Sequence, residues 1–360
     1  MTKIAIIGTV GVPANYGGFE TLVENIISLN QSNNFKYTVY CSSKSYNEKK
    51  TQYKNAYLEY INLEANGIQS ILYDIISLIK ATPKHDTILI LGVSGCCFLP
   101  IYRMFSKKRL IINIDGLEHK RDKWGKYIKN FLKFSEKMAV KYGDEIISDN
   151  KGIQDYVFKE YHKNSTLIAY GGNHVITETS PEFENQILKQ YGISPNSYAF
   201  SVCRIEPENN VHLTLEAYKQ NKQKILFIGN WMKSNYGKDL YNHYSQFSNI
   251  KLIMPEYNLN ILNILRKNCY IYIHGHSAGG TNPSLVEAMF FKKPIIAYDV
   301  VYNRETTENK AIYFKDSESL ISTIQKTPNN VLESIASNMY EIAQKRYTWE
   351  SIVNKYESLY

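Results

Sequence analysis

The sequence predicts an α/β fold of two domains, each built on a doubly wound parallel sheet. Three observations carry this. Short apolar runs of strand length recur along the chain with helical patterns between them, the order that yields parallel sheets. Lys3–Gly8 (KIAIIG) is apolar without alternation, as a strand covered on both faces must be. A chain of 360 residues holds about two domains, and the polar stretch from Gly171-Gly172 to Ser180 is the best boundary between them. With 44% hydrophobic and 21% charged residues, the composition is that of a soluble globular protein. No run approaches the ~18 apolar residues of a membrane span. The most apolar segment, Thr87–Tyr102, is broken by Gly92, Ser94, Gly95 and Pro100 and reads as a buried strand plus a turn. Met1 leads straight into the first strand, so no signal peptide is expected. The five cysteines (Cys41, Cys96, Cys97, Cys203, Cys269) lack metal-ligand spacing, and several fall in predicted strands. A reducing cytoplasm fits them.

After Lys3–Gly8 comes the loop TVGVPANYGG and a helix from about Phe19 to Leu29, with apolar Leu22, Val23, Ile26 and Ile27 on one face. Gly17 and Gly18 fall at that helix start. Gly8 and Gly11 do not complete a GxGxxG fingerprint, so a dinucleotide site is poorly supported. Strands follow at Tyr37–Cys41, Leu58–Ile61, Thr87–Leu91 and Leu110–Ile114, and Ile68–Lys80 is an amphipathic helix. The Leu110–Ile114 strand runs into IDGLEHKRDKWG, placing Asp115 and Glu118 on a loop at a carboxyl edge, where ligands are expected. Such an acid could orient a hydroxyl or take its proton. An Asp-Gly turn beside a solvated acid is the alternative.

Lys123–Tyr142 is a long helix with one apolar stripe through Trp124, Tyr127, Ile128, Phe131, Leu132, Met138, Ala139 and Tyr142, and lysines on its other faces. The net charge is +8, and residues 101–150 hold 12 Lys and Arg against 7 Asp and Glu. That excess suits an anionic surface, and the helix reads either as a core helix with a solvated lysine face or as one resting on anionic lipid. Nucleic acid is not an expected partner, because no reading motif accompanies the charge. Glu145–Ser148 is a strand, a helix capped by Asp149 or Asn150 runs to Tyr161, and Thr166–Tyr170 is the last strand of this half.

The second half repeats the pattern, with strands at Tyr198–Cys203, Lys224–Gly229 and Lys251–Met254. SVCRIEPENNVHLTLEAY is strand, loop and helix, with Arg204 at the strand's carboxyl end. The unit that organises this half is Ile271–Tyr298. It opens with a strand at Ile271–Ile273, continues through a polar loop from His274 to Asn282, and closes with a helix and the strand Pro294–Tyr298. Asn282 or Thr281 can cap the helix, Pro283 suits its first position, and Gly279 and Gly280 can take positive φ. A glycine loop and a helix N-terminus make an anion site. Glu287, one turn into the helix, reaches a ligand held there. Helices follow at Ser317–Gln325 and between Val331 and Tyr360, and the tail with Tyr347, Trp349 and Ile352 is expected to return to the first domain. The expected division is 1–172, 173–340 and a returning segment, 341–360.

GGTNPSLVEAM followed by a lysine pair and PIIA resembles the donor-binding signature of retaining glycosyltransferases of family 4. IGTVGVPANYGGFETLVENI, IDGLEHKRDKW and FLKFSEKMAVKYGDEIISDNKGI resemble a bacterial subgroup of that family whose members look like rhamnosyltransferases. The resemblance implies the GT-B fold: two Rossmann-like, doubly wound domains facing across a cleft. It implies that the loop and helix start, Gly279, Gly280, Thr281, Asn282 and Ser284, hold a donor diphosphate, that Glu287 holds the ribose hydroxyls, and that Gly17 and Gly18 lie near donor phosphates and acceptor. CRIEPENN matches the family's phosphate-binding segment, with Arg204 in the arginine position and Asn209 where the family has lysine. Gly279 stands where the family has a second glutamate. Lys233 or Lys238 could replace the missing charge.

The activity so implied is sugar transfer with retention, dTDP-L-rhamnose being the implied donor. The acceptor would be a lipid-linked saccharide in a surface-polysaccharide pathway, reached from the cytoplasm at an anionic inner membrane face. Asp115, Glu118 and Arg204 are the candidate catalytic residues. No Asp-x-Asp motif occurs, so neither metal nor cofactor is expected. A UDP-sugar hexosyltransferase, a sugar-nucleotide epimerase of the same fold, and a non-catalytic nucleotide-sugar-binding scaffold are the alternatives.

Overall fold

A computed structural model of the chain describes residues 1–14, 17–30, 34–120 and 124–360. Asn15 and Tyr16 of the first loop, and Lys123 at the expected start of the basic helix, lie outside the described residues. The chain forms two compact units, residues 1–170 with 349–360, and residues 171–348.

The first unit contains β1 (Thr2–Ile7), α1 (Gly18–Leu29), β2 (Phe35–Ser42), β3 (Gln52–Tyr53), β4 (Ala56–Ile61), α2 (Gln69–Ala81) and β5 (Thr87–Leu91). Then come α3 (Leu99–Phe105), β6 (Arg109–Asn113), α4 (Lys126–Tyr142), β7 (Glu145–Ser148), α5 (Lys151–Tyr161) and β8 (Thr166–Leu167). The sheet order is β3-β4-β2-β1-β5-β6-β7-β8, parallel throughout except for the short β3–β4 pair. Ile4, Ala5, Ile6 and Ile7 of β1 are buried, as an unalternating apolar strand requires. Asn150, not Asp149, caps α5, its side chain accepting from the Gly152 amide.

Three expectations are corrected here. Thr87–Tyr102 is not a strand and turn alone: a short 3-10 turn at Ser94–Phe98 leads into α3. Pro100 lies in the first turn of α3, where its missing N–H costs nothing. The apolar stripe of α4 does not run the helix's whole length, because Tyr127 and Ile128 are exposed while Ser135, Met138 and Ala139 are buried. Glu136 turns inward with them, accepting from Tyr156 Oη at 2.7 Å and Tyr161 Oη at 2.6 Å, 3.0 Å from His119 Nδ1. The expected strand Thr166–Tyr170 keeps only its first two residues.

The second unit contains α6 (Pro181–Gln190), β9 (Ala199–Val202), α7 (Val211–Asn221), β10 (Ile225–Ile228), α8 (Asn235–Tyr244), β11 (Ile250–Ile253) and α9 (Leu259–Asn268). It continues with β12 (Ile271–His274), α10 (Pro283–Met289), β13 (Ile295–Tyr298), α11 (Val301–Thr306), β14 (Ile312–Phe314), α12 (Ser317–Lys326) and α13 (Asn329–Arg346). The sheet runs β11-β10-β9-β12-β13-β14, all parallel. Its core gathers Leu215, Phe227, Trp231, Ile271, Ile296 and Phe314.

The chain ends in α14 (Trp349–Glu357), which belongs to the first unit and packs on α1. The returning segment therefore starts at Trp349 rather than at 341, because α13 holds its place in the second unit through buried Ile335, Met339 and Ile342. The other boundary falls before Gly171, not after 172. Trp349, Ile352, Val353 and Tyr356 join the first unit's core beside Leu22, Ile26 and Tyr37. Trp349→Ala is expected to cost about 3–5 kcal/mol in denaturant unfolding, the usual loss for a large buried aromatic. A change below ~1 kcal/mol would mean that α14 is a dispensable cover.

Candidate functional site

In the second sheet β9 is followed outward on one side by β10 and β11, and on the other side by β12, β13 and β14. The chain direction of winding reverses between β9 and β12, and open α/β sheets bind ligands beyond the carboxyl ends of strands at such a point. The loops that leave β9 and β12 carry the predicted residues. They are tied to each other at their backbone carbonyls. The Ser277 amide and hydroxyl both donate to the Glu208 carbonyl at 2.8 Å, and Asn210 Nδ2 donates to the Gly275 carbonyl at 2.9 Å. A Cβ on Gly275 would lie 2.2 Å from the Asn209 carbonyl oxygen, so only glycine allows this approach.

Asn209 fills its expected place in a way the sequence did not indicate. Its Nδ2 donates to the Arg204 carbonyl at 2.7 Å, and its Oδ1 lies 2.7 Å from His276 Nδ1. With the amide oriented by that first bond, Oδ1 is an acceptor, so His276 carries a proton on Nδ1. The buried Asn303 amide holds the His276 carbonyl at 2.8 Å. Arg204 stands at the end of β9 with Nε 3.7 Å from Glu206 Oε2, and about a third of its side chain is exposed. An open pair of this kind adds little stability. Lys233 and Lys238, the expected substitutes for the missing lysine, are both exposed.

Asn282 is the cap of α10: its Oδ1 accepts from the Ser284 amide at 3.0 Å and the Ser284 hydroxyl at 2.7 Å. Thr281 is buried and does not cap. Of the two glycines only Gly279 takes positive φ, at 90°. The helix is seven residues long, so few peptide dipoles add and most positive charge offered here must come from side chains. Glu287 lies in its last turn and pairs through Oε2 with Nη2 of Arg266, while His174 Nε2 stands 3.7 Å from Oε1. Arg266, on α9, is 3% exposed. Burial holds the His174 imidazole below its usual range, with Glu287 working against that and Arg266 with it. Arg266, His174 and His276 were missed by sequence reasoning, since their partners are remote in the chain and no local spacing marks them.

The remaining predicted residues lie in the first unit. Asp115 takes φ of 60°, its amide donating to Asn113 Oδ1 at 2.9 Å, and Asn113 Nδ2 donates to Tyr356 Oη on α14 at 2.7 Å. Glu118 Oε2 accepts from Trp124 Nε1 at 3.2 Å. Gly17 caps α1 with φ of 127°, and a Cβ there would come within 1.9 Å of Glu20 Oε2. Gly18 is the first helical residue. Glu20 is occupied in holding the loop after β1, through Thr9 Oγ1 and the Val10 amide, each at 2.9 Å.

Residues 183–354 match the family Glycosyl transferases group 1, and residues 1–173 match a Domain of unknown function, DUF1972. The first of these matches spans most of the second unit. No curated protein matches the sequence. Among solved structures, the chain is similar to sucrose-phosphate synthase from Thermosynechococcus elongatus, with 15% identity and a TM-score of 0.82 over 100% of this chain and 98% of that one. It is also similar to Anabaena HepE in complex with UDP-glucose, with 15% identity and a TM-score of 0.74 over 100% of this chain and 99% of that one. These likenesses establish the GT-B fold.

His274, at the end of β12, is fully enclosed, and its Nε2 has no hydrogen-bond partner among the described residues. Burial pushes its pKa down to about 3 from 6.5. Below pH 6.5 the unfolded chain binds a proton there that the folded chain refuses, so stability is lost as pH falls from 6.5 toward 3. His274→Gln should flatten the fall of melting temperature over that range by the share of about one proton. An unchanged slope would mean that His274 is already charged in the folded protein.

Proposed function

We propose that the chain is a retaining glycosyltransferase that moves L-rhamnose from dTDP-L-rhamnose to a lipid-linked saccharide in surface-polysaccharide assembly. The observation that carries the donor side is the seat of Asn209 between the Arg204 carbonyl and His276, on the two joined loops at the switch point of the segment that matches group 1 glycosyl transferases. A departing diphosphate gathers charge as the glycosidic bond breaks, and Arg204 together with loop amides would stabilise it. This reading uses no divalent metal and no cofactor. Asp115 and Glu118 serve the acceptor side, where the backbone strain at Asp115 is held by Asn113 and α14. A UDP-sugar donor is the second reading, and the complex of HepE with UDP-glucose favours it.

Arg204→Ala should lower kcat about 10²–10³-fold with a smaller rise in donor KM, because its contact strengthens as the diphosphate leaves. Glu287→Ala should act mainly on KM, and Glu206→Ala should leave turnover nearly intact. The assay is transfer to a lipid-linked acceptor in the presence of EDTA. Activity restored only by added magnesium, or equal effects of Arg204→Ala and Glu206→Ala, would sink the assignment.

The same reading places the chain in the cytoplasm, on the anionic inner face of the membrane. No helix among the described residues is long and apolar enough to cross a membrane. Met104 and Phe105 at the end of α3 are exposed, α3 packs beside α4, and α4 exposes Tyr127 and Phe134 among Lys126, Lys137 and Lys141. Exposed aromatic and basic groups together suit a charged lipid interface. Binding to vesicles should require anionic lipid, weaken as salt rises, and fall at least several-fold in Phe105→Glu. Equal binding to neutral vesicles would remove the membrane from this account.

A further inference from the structure

We propose that the first unit carries a second binding site, at the amino ends of β1, β2 and β4, and that it takes the phosphate ester of a small hydroxylated molecule. Parallel pairing sets Lys3 beside Lys36, Ala5 beside Thr38, Thr38 beside Tyr57 and Tyr40 beside Glu59. Residues two apart on a strand share a face, so all of these stand on one side of the sheet. The other side, with Ile4, Tyr37 and Val39, faces the core. On the first side α2 lies over the carboxyl half, where Tyr73 Oη reaches the Tyr40 and Thr9 carbonyls at 2.7 and 2.9 Å. The helix stops at Ala81, and the chain returns to β5 through Lys84 and His85. The amino half stays open as a cavity of about 380 Å³, whose lining includes Lys3, Lys36, Thr38, Glu59, Lys84 and His85. That is the small end of ligand sites. Asp115 lies beyond the carboxyl edge of the same sheet, so this cavity is no part of the candidate site.

The charge in the cavity is unbalanced. Three lysines line it against one carboxylate, and Lys84 Nζ takes that carboxylate at 2.6 Å. The ammonium groups of Lys3 and Lys36 pair with no carboxylate among the described residues. Asp86 is spent on the Lys3 amide at 2.9 Å, and Lys36 Nζ sits over the Tyr57 ring at 4.4 Å. Solvated lysines alone would account for a polar rim, but not for what lies beneath it. Tyr40, next along the face from Thr38, is fully buried, and its hydroxyl has no hydrogen-bond partner among the described residues. Burial and the Glu59 carboxylate keep the proton on that phenol, so it is a donor without an acceptor. The His85 ring meets the Tyr40 ring edge-on at 6.2 Å. His85 is 4% exposed, and its Nδ1 donates to the Ala81 carbonyl at 2.9 Å. Burial holds the imidazole below its usual range, with Lys84 and Lys3 acting the same way and the Ala81 carbonyl and Glu59 against it. A neutral ring protonated on Nδ1 presents Nε2 as an acceptor. The cavity thus holds two unpaired cations and the Thr38 hydroxyl for a phosphate, and an imidazole acceptor for a hydroxyl. A bare anion would use the first set and leave the second idle.

The test titrates the full chain calorimetrically with D-glucose 6-phosphate, inorganic phosphate and D-glucose. The ester should bind about threefold or more tighter than inorganic phosphate, the gain of one neutral hydrogen bond, and D-glucose should show no binding. Lys3 and Lys36 are not buried, so the double variant Lys3→Gln/Lys36→Gln should keep its melting temperature while binding the ester at least about tenfold more weakly. His85→Phe should bring the ester and inorganic phosphate to equal affinity. If that variant does not fold, the lysine variant decides. Arg204→Ala should bind the ester as the wild type does. Loss of binding in Arg204→Ala, with none in the lysine variant, would put the phosphate at the donor loops and overturn the second site. So would a wild type that binds no ester, or one that binds it no better than inorganic phosphate.

Discussion

What the second unit can offer a ligand depends on two loops being bonded to each other at their backbone carbonyls. The Glu208 carbonyl accepts from both the amide and the hydroxyl of Ser277, and the side chain of Asn210 closes on the Gly275 carbonyl. Without these bonds the loops after β9 and β12 would be separate excursions from a sheet, each with backbone groups seeking partners. With them, Arg204, Asn209 and His276 belong to one surface whose geometry is set before any ligand arrives. Preorganisation of this kind lets a few charges act strongly, since nothing must be reordered when charge develops.

The first unit answers the same problem differently. Its β1 loop is held by carboxylates: Glu20 takes Thr9 and Val10, and Glu24 takes the Ala14 amide at 2.6 Å and Tyr53 Oη at 2.8 Å. Asp115, beyond the end of β6, is steadied by a residue far along the chain, because Asn113, which holds its amide, leans on Tyr356. The last helix is thus both a part of the hydrophobic core and a support for the loop that carries Asp115.

The parallel strands were readable because β1, β5 and β12 carry the apolar runs Ile4–Ile7, Ile88–Leu91 and Ile271–Ile273, as burial on both faces requires. Short amphipathic helices such as α6, α8 and α9 were not read, for their patterns are brief and Asn-rich or Tyr-rich sequence reads as loop. At the site, the cap Asn282 and the strand-end Arg204 were legible from local chemistry. The burial of Arg266 behind Glu287 was not, nor was the seat of Asn209 against His276. Such pairs are made by topology, which sets α9 beside α10 and the β9 loop beside the β12 loop, and no spacing within one segment announces them.

The Asn209–His276 contact also bears on how such a site can change. Restoring lysine at 209 alone would not simply add a charge. It would remove the acceptor that fixes the imidazole and the donor that satisfies the Arg204 carbonyl. It would also set a cation against the protonated Nδ1 of His276. Residues 209 and 276 are therefore one physical unit: the amide that satisfies the Arg204 carbonyl is also the group that orients the imidazole, so neither residue can change without altering what the other is held by.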